Sequence, residues 1–159
     1  IVEEIGRHMP GGFFLYRAGE NEELLYANQA VFDIFGCRDQ DEFKELTGFS
    51  FRGMLHPDDY DEISSSIKNQ VNKSDDNLDY VEYRIIRKDG AIRWVDDYGH
   101  FTNTEAYGGI YYVFISDITE KREQMEEARA VRMAVIEALS ESYHTVFLIT
   151  DVESGTFSL

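Results

Sequence analysis

The sequence predicts an α+β domain built around an antiparallel sheet of five strands. Two short apolar runs, residues 13–17 and 23–27, lie on either side of a polar loop near the start of the chain. Three longer strand-like runs follow a block of helical segments, and Lys88-Asp89-Gly90 separates the first two of them. A Gly directly after Asp between two strand-like runs is a strong local signal for a hairpin. Two strands, a helical block and three strands therefore indicate one α+β unit.

Composition and charge narrow the classes of function. The chain has 159 residues, of which 43% are apolar and 14% aromatic, which is typical of one globular domain with an appendage. Its 31 acidic and 15 basic residues give a formal net charge of −16. Such a charge repels nucleic acids and anionic lipid surfaces, so we expect neither as a direct partner of this segment.

Targeting signals are not evident in the sequence. The single cysteine, Cys37, rules out an internal disulfide and is compatible with a reducing compartment. No apolar run approaches the roughly 18 residues of a membrane span, and the first residues lack the features of a signal peptide. We expect a cytoplasmic location. The absence of an initial Met indicates a fragment of a longer protein, in which a membrane anchor elsewhere stays open.

The first half of the chain predicts a lead-in helix, two strands and three short helical segments. In residues 1–9 an apolar residue recurs at every fourth position, namely Ile1, Ile5 and Met9. Asn28 is expected to cap a helix over residues 29–35, and Gly36 to end it in the left-handed conformation. A short helix is expected over residues 39–46, followed by a turn-like apolar patch at residues 50–55.

The second half begins with His56-Pro57-Asp58-Asp59, which is typical of a helix start. We expect Asp58 and Asp59 to accept the free N–H groups of a helix that reaches about residue 72. Residues 75–79 are expected to form a solvated loop, because the residues that would complete a calcium loop are absent. The remaining strands are predicted over residues 78–87, 91–102 and 107–116.

Asp117-Ile118-Thr119 ends the last strand before a charged helical segment. Together with the run from Tyr83 to Val95, this order resembles the C-terminal half of a PAS domain, the bacterial signal-sensing module, and the resemblance covers roughly residues 10–122. It implies a PAS fold with sheet order 2-1-5-4-3, helices on one face and flanking helices at both ends. We divide the chain into a lead-in helix (1–9), a PAS domain (10–119), a linker helix (120–142) and the truncated start of a second PAS-like domain (143–159), where residues 146–151 have the character of a strand.

The resemblance implies a sensory or regulatory input module without catalytic activity, whose effector lies outside this chain. Similar segments precede cyclic-di-GMP synthases (GGDEF domains) and phosphodiesterases, or histidine kinases, and the first two are preferred. Gly108-Gly109-Ile110 is not the signature of such a synthase, and no nucleophile, phosphate-binding or metalloprotease motif is present. A ligand-free module for dimerisation or relay is the alternative, and a small enzyme comes third.

Signal relay is expected at the end of the last strand. Asp117 and Thr119 carry short polar oxygens of the kind that cap helix N–H groups. We expect Asp117 also to pair with Arg87 or Arg93, close to the Asp89 turn. In the family this motif is regarded as the junction between the sensor and the signalling helix.

A candidate ligand pocket lies between the predicted sheet and the helices. The PAS arrangement would place nine apolar residues around this volume: Phe32, Phe35, Phe51, Met54, Leu55, Ile67, Tyr83, Ile85 and Phe114. Whether they surround a small molecule or fill the space themselves is left open. Pairs of carboxylates such as Asp96 and Asp97 are interpreted as incidental in so acidic a chain.

No cofactor or metal is predicted. Haem is disfavoured because His56 is explained by helix initiation and the long helix contains no His. Flavin is disfavoured because Cys37 lies outside the Asn-Cys-Arg-Phe-Leu-Gln motif of flavin-binding relatives. An unknown small molecule stays open.

A homodimer is expected through the flanking helices, since a lone helix is marginal in water. The apolar seam of the second helix comprises Met125, Ala128, Val135 and Leu139, interrupted by Arg132. The first helix would add its own apolar face.

Overall fold

The computed structural model describes residues 2–8 and 11–154; side chains are not described for Val2, Ile5, His8 and residues 143–154. The elements in chain order are α1 (Val2–His8), β1 (Gly12–Arg17), β2 (Leu24–Ala27), α2 (Gln29–Ile34), α3 (Gln40–Thr47), α4 (Phe51–Met54), α5 (Tyr60–Lys73), β3 (Leu78–Ile86), β4 (Ile92–Thr104), β5 (Gly108–Asp117) and α6 (Thr119–Ser154). The chain divides into two compact units after Thr119.

The sheet has the order β2-β1-β5-β4-β3, with every neighbouring pair antiparallel. This confirms the predicted fold class and strand order. β5 lies at the centre, where Phe14 pairs with Val113 and Val113 with Gly99. Gly90 closes the β3–β4 hairpin with φ +88°, a conformation that glycine adopts without steric cost.

The main core lies between the inner face of the sheet and helices α2 to α5. Side chains alternate along each strand, so that Val81, Tyr83 and Ile85 of β3 point inward and are buried. A smaller cluster of Phe13, Leu15 and Ile110 lies on the outer face. Because β1 contributes Phe14 and Tyr16 to the first cluster and Phe13 and Leu15 to the second, it is buried on both faces.

Side-chain caps fix the beginnings of the helices. The Asn28 Oδ1 atom accepts the N–H of Val31 at 3.2 Å, as predicted, and the Asp39 Oδ1 atom accepts that of Glu42 at 3.0 Å. Residues 50–55, predicted as a turn-like patch, contain the short helix α4 capped by Ser50. At α5 the prediction was wrong, because the Asp59 side chain makes no cap bond and accepts the N–H of Arg84 instead. The guanidinium of Arg84 competes successfully for this carboxylate.

Both edge strands of the sheet form hydrogen bonds with other parts of the chain at some positions. On β3 the side-chain amide of Gln70 bonds to the Tyr80 N–H and carbonyl at 2.8 and 2.9 Å. Further along the same edge, the Arg84 carbonyl accepts the N–H of His56 at 2.8 Å. Beside β2, Leu24 N–H donates to the Phe49 carbonyl and Glu23 forms a bridge to Ser50.

The helix α6 continues beyond the predicted linker. Residues 146–151 were predicted as a strand, but they are helical to Ser154. A helix satisfies its own backbone hydrogen bonds, whereas a strand needs a neighbour, and no strand follows β5 in the described part of the chain. The strand assignment was therefore wrong, while residues 155–159 lie outside the described residues. None of the described helices is both long and apolar enough to cross a bilayer.

Candidate functional site

The first candidate site is the strand–helix junction, formed by Asp117, Ile118 and Thr119 with Arg93 and Trp94 of β4. Nε of Arg93 donates to Oδ2 of Asp117 at 2.8 Å. The Trp94 N–H donates to Oγ1 of Thr119 at 2.7 Å, and the Trp94 carbonyl accepts the Ile118 N–H at 2.8 Å. The start of α6 is thus attached to β4 through both side chains and backbone.

The two residues predicted as caps have different roles in the geometry. Oδ1 of Asp117 accepts the Thr119 N–H at 2.9 Å, as a cap does. The hydroxyl of Thr119 is occupied by Trp94 instead, and Thr119 is buried with 6% exposure. Burial favours a raised pKa for Asp117, but its bonds to Arg93 and Thr119 outweigh this effect, so its pKa lies below the usual value.

The other predicted relay residues, Arg87 and Asp89, lie in a separate group at the β3–β4 hairpin. Nε of Arg87 is 3.5 Å from Oδ2 of Asp89, and its Nη1 donates to the Ile34 carbonyl at 3.1 Å. Asp89 accepts the Ala91 N–H at 3.0 Å, and mainly this bond lowers its pKa. Of the two cations considered for Asp117, Arg93 forms the pair, whereas Arg87 fastens the hairpin to the end of α2.

Eight of the nine residues predicted around the pocket lie in the main core: Phe32, Phe35, Phe51, Met54, Leu55, Ile67, Tyr83 and Ile85. The ninth, Phe114, was placed wrongly, since it is 43% exposed on the outer face. Its ring lies 5.1 Å from that of Phe13. The reason is strand alternation, because Val113 and Ile115 take the inward positions on either side of it.

A cavity of about 530 Å³ opens between the sheet, α4, α5 and the β1–β2 loop. Phe51 and Ile67 of the predicted set line it, and Met54 and Leu55 line a second cavity of about 390 Å³. Sequence reasoning missed the tyrosines of the larger cavity. Tyr16 stacks between Phe51 and Tyr111, with ring centroids 4.5 and 4.8 Å apart. We call this larger space the sensor cavity.

The rim of the sensor cavity includes Glu22, Arg52 and Tyr60. The Tyr60 hydroxyl donates to Oε1 of Glu22, and the Arg52 guanidinium lies over the Tyr60 ring, 4.5 Å from its centroid. Burial raises the pKa of Glu22, although the Tyr60 bond opposes the shift. Glu22 also has φ +46°, a conformation of the kind that clusters at ligand sites when it occurs outside glycine.

Two buried carboxyl groups, Asp79 of β3 and Asp97 of β4, lie on the inner face of the sheet; we call them the interior carboxyl pair. They are 5% and 1% exposed. Oδ2 of Asp97 accepts the Tyr83 hydroxyl at 2.8 Å, whereas Oδ1 of Asp97 and both oxygens of Asp79 have no hydrogen-bond partner among the described residues. The Asp79 carboxylate lies over Gly99, where a β-carbon would collide with it.

Sequence analysis placed Asp79 both in the solvated loop over residues 75–79 and in the strand over residues 78–87. The strand assignment is confirmed and the loop assignment of Asp79 was wrong, while Asp97, interpreted as incidental, is buried. An Asp at an inward position of an alternating strand is the signal that could have revealed them. Burial raises the pKa of Asp79 to about 6, and burial together with the charge of Asp79 raises that of Asp97 well above its usual value.

The surroundings of His56 and Cys37 indicate a structural role for both residues. Nδ1 of His56 accepts the Asp58 N–H at 3.1 Å, as expected of a residue that shapes a helix start. Cys37 is 3% exposed, and burial raises the pKa of its thiol. Within the described ranges, no group of three or more His, Cys, Asp or Glu residues is arranged to hold a metal ion.

Sequence comparison gives one family match. A profile of the family described as the PAS fold matches residues 24–115, which is more than half of the chain. No curated protein matches the sequence significantly.

Solved structures share the fold at low identity. A sensory box histidine kinase/response regulator from Burkholderia thailandensis is 20% identical, with a TM-score of 0.61 over 79% of this chain and 90% of that one. The N-terminal domain of a diguanylate cyclase with a PAS/PAC sensor from Marinobacter aquaeolei is 14% identical, with a TM-score of 0.50 over 70% and 97%. An RNA-binding light-oxygen-voltage receptor is 17% identical, with a TM-score of 0.63 over 83% of this chain and 36% of that one. These likenesses establish the fold alone.

Proposed function

The chain belongs to the PAS fold family, and from this premise we propose that it is a sensory or regulatory input module of a bacterial signalling protein. The module passes a signal from the sheet through the strand–helix junction into α6. The effector is a further domain of the same polypeptide. Catalysis is not part of this segment's role.

The observation that carries the proposal is the attachment to β4 of residues 117–119, at which α6 begins. A shift of β4 relative to β5 changes the bonds of Arg93 and Trp94, and both bonds end on the first residues of α6 or directly before them. Because the inner faces of β4 and β5 also contribute Val95, Val113 and Ile115 to the core, a change of packing there is passed to the helix start through the backbone of these strands. A two-state element that both sites bias is the physical requirement for such coupling.

Hydrogen exchange on the amides of residues 120–139 tests the coupling. Asp117→Asn removes the charge that holds Arg93, and Thr119→Val removes the acceptor of the Trp94 N–H. Each should lower the protection of these amides about fivefold or more, corresponding to about 1 kcal/mol in local opening. Asp89→Asn is the matched control, since Asp89 bonds within its own turn. Wild-type protection in both junction variants would refute the relay.

We place a cyclic-di-GMP synthase or phosphodiesterase first among effectors and a histidine kinase second. The diguanylate cyclase and the histidine kinase among the structural neighbours support both kinds. This choice rests on analogy of fold. Asp117→Asn in the longer protein should change the rate of the effector reaction. An unchanged rate would mean that the junction does not regulate the effector.

A second copy of this chain is the partner we propose for α6. Its seam residues Met125, Val135 and Leu139 are 62%, 52% and 50% exposed, and exposure of apolar side chains along one side of a helix is unfavourable in water. The predicted contribution of α1 stays a prediction, because Ile1 and Met9 lie outside the described residues. Sedimentation of Leu139→Glu should show a dimer at least tenfold weaker, whereas Met133→Glu, off the seam, should not. If the dimers of both variants had the same dissociation constant, the seam would not be part of the interface.

The sensor cavity is proposed to act without haem, flavin or metal. The purified protein should therefore be colourless, with no absorbance beyond the aromatic band. A visible absorption band that follows the protein through purification would contradict this prediction.

A further inference from the structure

The lining of the sensor cavity carries charges of both signs, although the chain as a whole is strongly acidic. Glu20 and Glu22 come from the β1–β2 loop, Arg52 from α4 and Lys68 from α5. Among the described residues, two acidic and two basic side chains thus balance one another here, whereas the whole chain has a formal net charge of −16. Complementarity of charge therefore favours a ligand that carries both signs over a simple anion or a simple cation.

Tyr60 holds one charge of each sign at the rim of the cavity. Its hydroxyl donates to Oε1 of Glu22, and the Arg52 guanidinium lies over its ring, 4.5 Å from the centroid. In the described part of the chain no ion pair joins Glu22 to Arg52, because each group is engaged with the tyrosine instead. A guanidinium over a ring keeps N–H donors at its edge, and a carboxylate has two acceptor oxygens, of which Tyr60 occupies one. Both groups can therefore still bind a ligand group of opposite charge.

The backbone fixes these two charges at the cavity. The Glu22 carbonyl accepts the N–H of Phe51 at 2.9 Å, which attaches the β1–β2 loop to the residue directly before Arg52. Glu22 also has φ +46°, a conformation that costs free energy outside glycine and is concentrated at ligand sites. Lys68 adds a second cation from the same face of α5 as Tyr60, about two helical turns further on.

We propose that the sensor cavity binds an α-amino acid with a large apolar side chain, whose ammonium group is held by Glu22 and whose carboxylate is held by Arg52 and Lys68. This inference rests on the proposed sensory function and names the ligand class of that module. An α-amino acid is a zwitterion at neutral pH, and a single carbon atom separates its two charged groups. Such a pair of charges matches a carboxylate and a guanidinium that are held on the hydroxyl and the ring of one tyrosine.

The aromatic wall of the cavity fits the side chain of such a molecule. Tyr16 stacks between Phe51 and Tyr111, and all three residues line the cavity together with Ile67. Contact with these side chains favours a large apolar side chain, such as that of phenylalanine or leucine, over a small or polar one. The volume of about 530 Å³ falls within the usual range of small-molecule sites.

Calorimetric titration of the full 159-residue chain at pH 7.5 with three matched probes tests the ligand class. The probes are L-phenylalanine, 2-phenylethylamine, which lacks the carboxylate, and 3-phenylpropanoate, which lacks the ammonium group. Phenylalanine should bind at least about tenfold more tightly than either of the other probes, because only phenylalanine engages charges of both signs.

Two variants assign each charge of the ligand to its partner. Glu22→Gln should lower the affinity for phenylalanine at least about fivefold and leave that for 3-phenylpropanoate unchanged. Lys68→Gln should lower the affinity for phenylalanine and leave that for 2-phenylethylamine unchanged. Glu62→Gln and Lys73→Gln are the matched controls, since they make the same changes at exposed positions of α5 that do not line the cavity.

The outcomes separate the ligand class from the sensory role. Equal affinity for all three probes, or wild-type affinity of both Glu22→Gln and Lys68→Gln for phenylalanine, would overturn the ligand class and leave the sensory role intact. If Glu22→Gln lost all three probes through damage to the cavity, Lys68→Gln would decide, because the Lys68 side chain is exposed. Binding of none by the wild type would overturn the ligand class too, and hydrogen exchange on α6 decides separately whether the relay operates.

Discussion

The strand–helix junction and the interior carboxyl pair place aspartates of the same sheet in opposite environments. Asp117 has an arginine and a backbone N–H as partners, and its pKa is lowered. Asp79 has no partner among the described residues, and its pKa is raised to about 6. The first carboxylate stabilises the fold at neutral pH, whereas the second destabilises it.

The difference distinguishes an aspartate that stabilises the fold through its hydrogen bonds from one whose burial costs stability. At the junction the carboxylate is both packed and hydrogen-bonded. In the interior the packed carboxylate of Asp79 lacks hydrogen bonds among the described residues. Such conflicts in natural proteins are concentrated at functional sites. The junction therefore holds the fold together, whereas the interior pair weakens the fold at neutral pH.

The largest expected effect comes from Tyr83→Phe. Its hydroxyl is the hydrogen-bond donor that the structure gives to Asp97, so its loss leaves a further buried oxygen unpartnered. We expect the free energy of unfolding to fall by about 2 kcal/mol, measured by urea denaturation. Tyr80→Phe on the same strand is the matched control, because its hydroxyl bonds to Glu82 at the surface, and it should change stability by less than about 0.5 kcal/mol. Equal losses would show that burial of Asp97 adds nothing.

A smaller effect of opposite sign is expected from Asp79→Asn. The amide removes a buried charge whose two oxygens have no hydrogen-bond partner among the described residues, so stability at pH 8 should rise by about 1–1.5 kcal/mol. Asp75→Asn should leave stability nearly unchanged. A variant less stable than the wild type would mean that Asp79 has a donor in solution and that the contrast with Asp117 is false.

The pH dependence gives the sign of that prediction independently. Because the pKa of Asp79 is raised from 3.8 to about 6, the native carboxyl takes up its proton before the unfolded one as pH falls. The wild type therefore regains stability between about pH 6 and pH 4, and the advantage of Asp79→Asn should disappear over this window. An advantage that persists at pH 4 would assign the gain to packing.

The smallest of the three effects is expected from Asp117→Asn. The amide retains the shape and part of the cap but loses the charge that Arg93 bonds, so stability at pH 7 should fall by about 1 kcal/mol. Since the pKa of Asp117 is lowered, its contribution is present above the usual value and lost as pH falls below it. The deficit should therefore vanish only in acid, below the window of Asp79. A deficit that is constant from pH 7 to pH 2 would remove the ion pair as its cause.

Local sequence signals were sufficient for most of the fold. Asn28 capped its helix and Gly90 closed its hairpin because these residues satisfy needs that the adjacent backbone alone creates. The strand over residues 146–151 failed for the opposite reason. A strand is defined by a neighbour, and apolar character alone cannot supply one.

The candidate site was less predictable because it depends on which side chains meet across strands. Phe114 was assigned to the interior by the arrangement that the PAS resemblance implies, although the inward positions of Val113 and Ile115 exclude it. Asp79 was grouped with the solvated loop over residues 75–79 as well as with the strand over residues 78–87, although its side chain shares the inward face with Val81 and Tyr83. Inward and outward positions of a strand can be told apart only when the residue at which the strand starts is known, because its side chains alternate between the two faces. The partner of Asp117 likewise required the register of β4, which places Arg93 within reach and turns Arg87 towards α2.

The hydrogen bonds along the two edges of the sheet affect how readily the protein aggregates at high concentration. An exposed edge strand presents free N–H and carbonyl groups that recruit another chain, which leads to open-ended aggregation. Gln70 and His56 occupy two places along β3, and the segment from Phe49 to Ser50 occupies β2. Self-association through either edge would first have to displace these groups. Gln70→Ala would expose the Tyr80 N–H and carbonyl, and fibre formation should begin there before it begins anywhere else on the sheet.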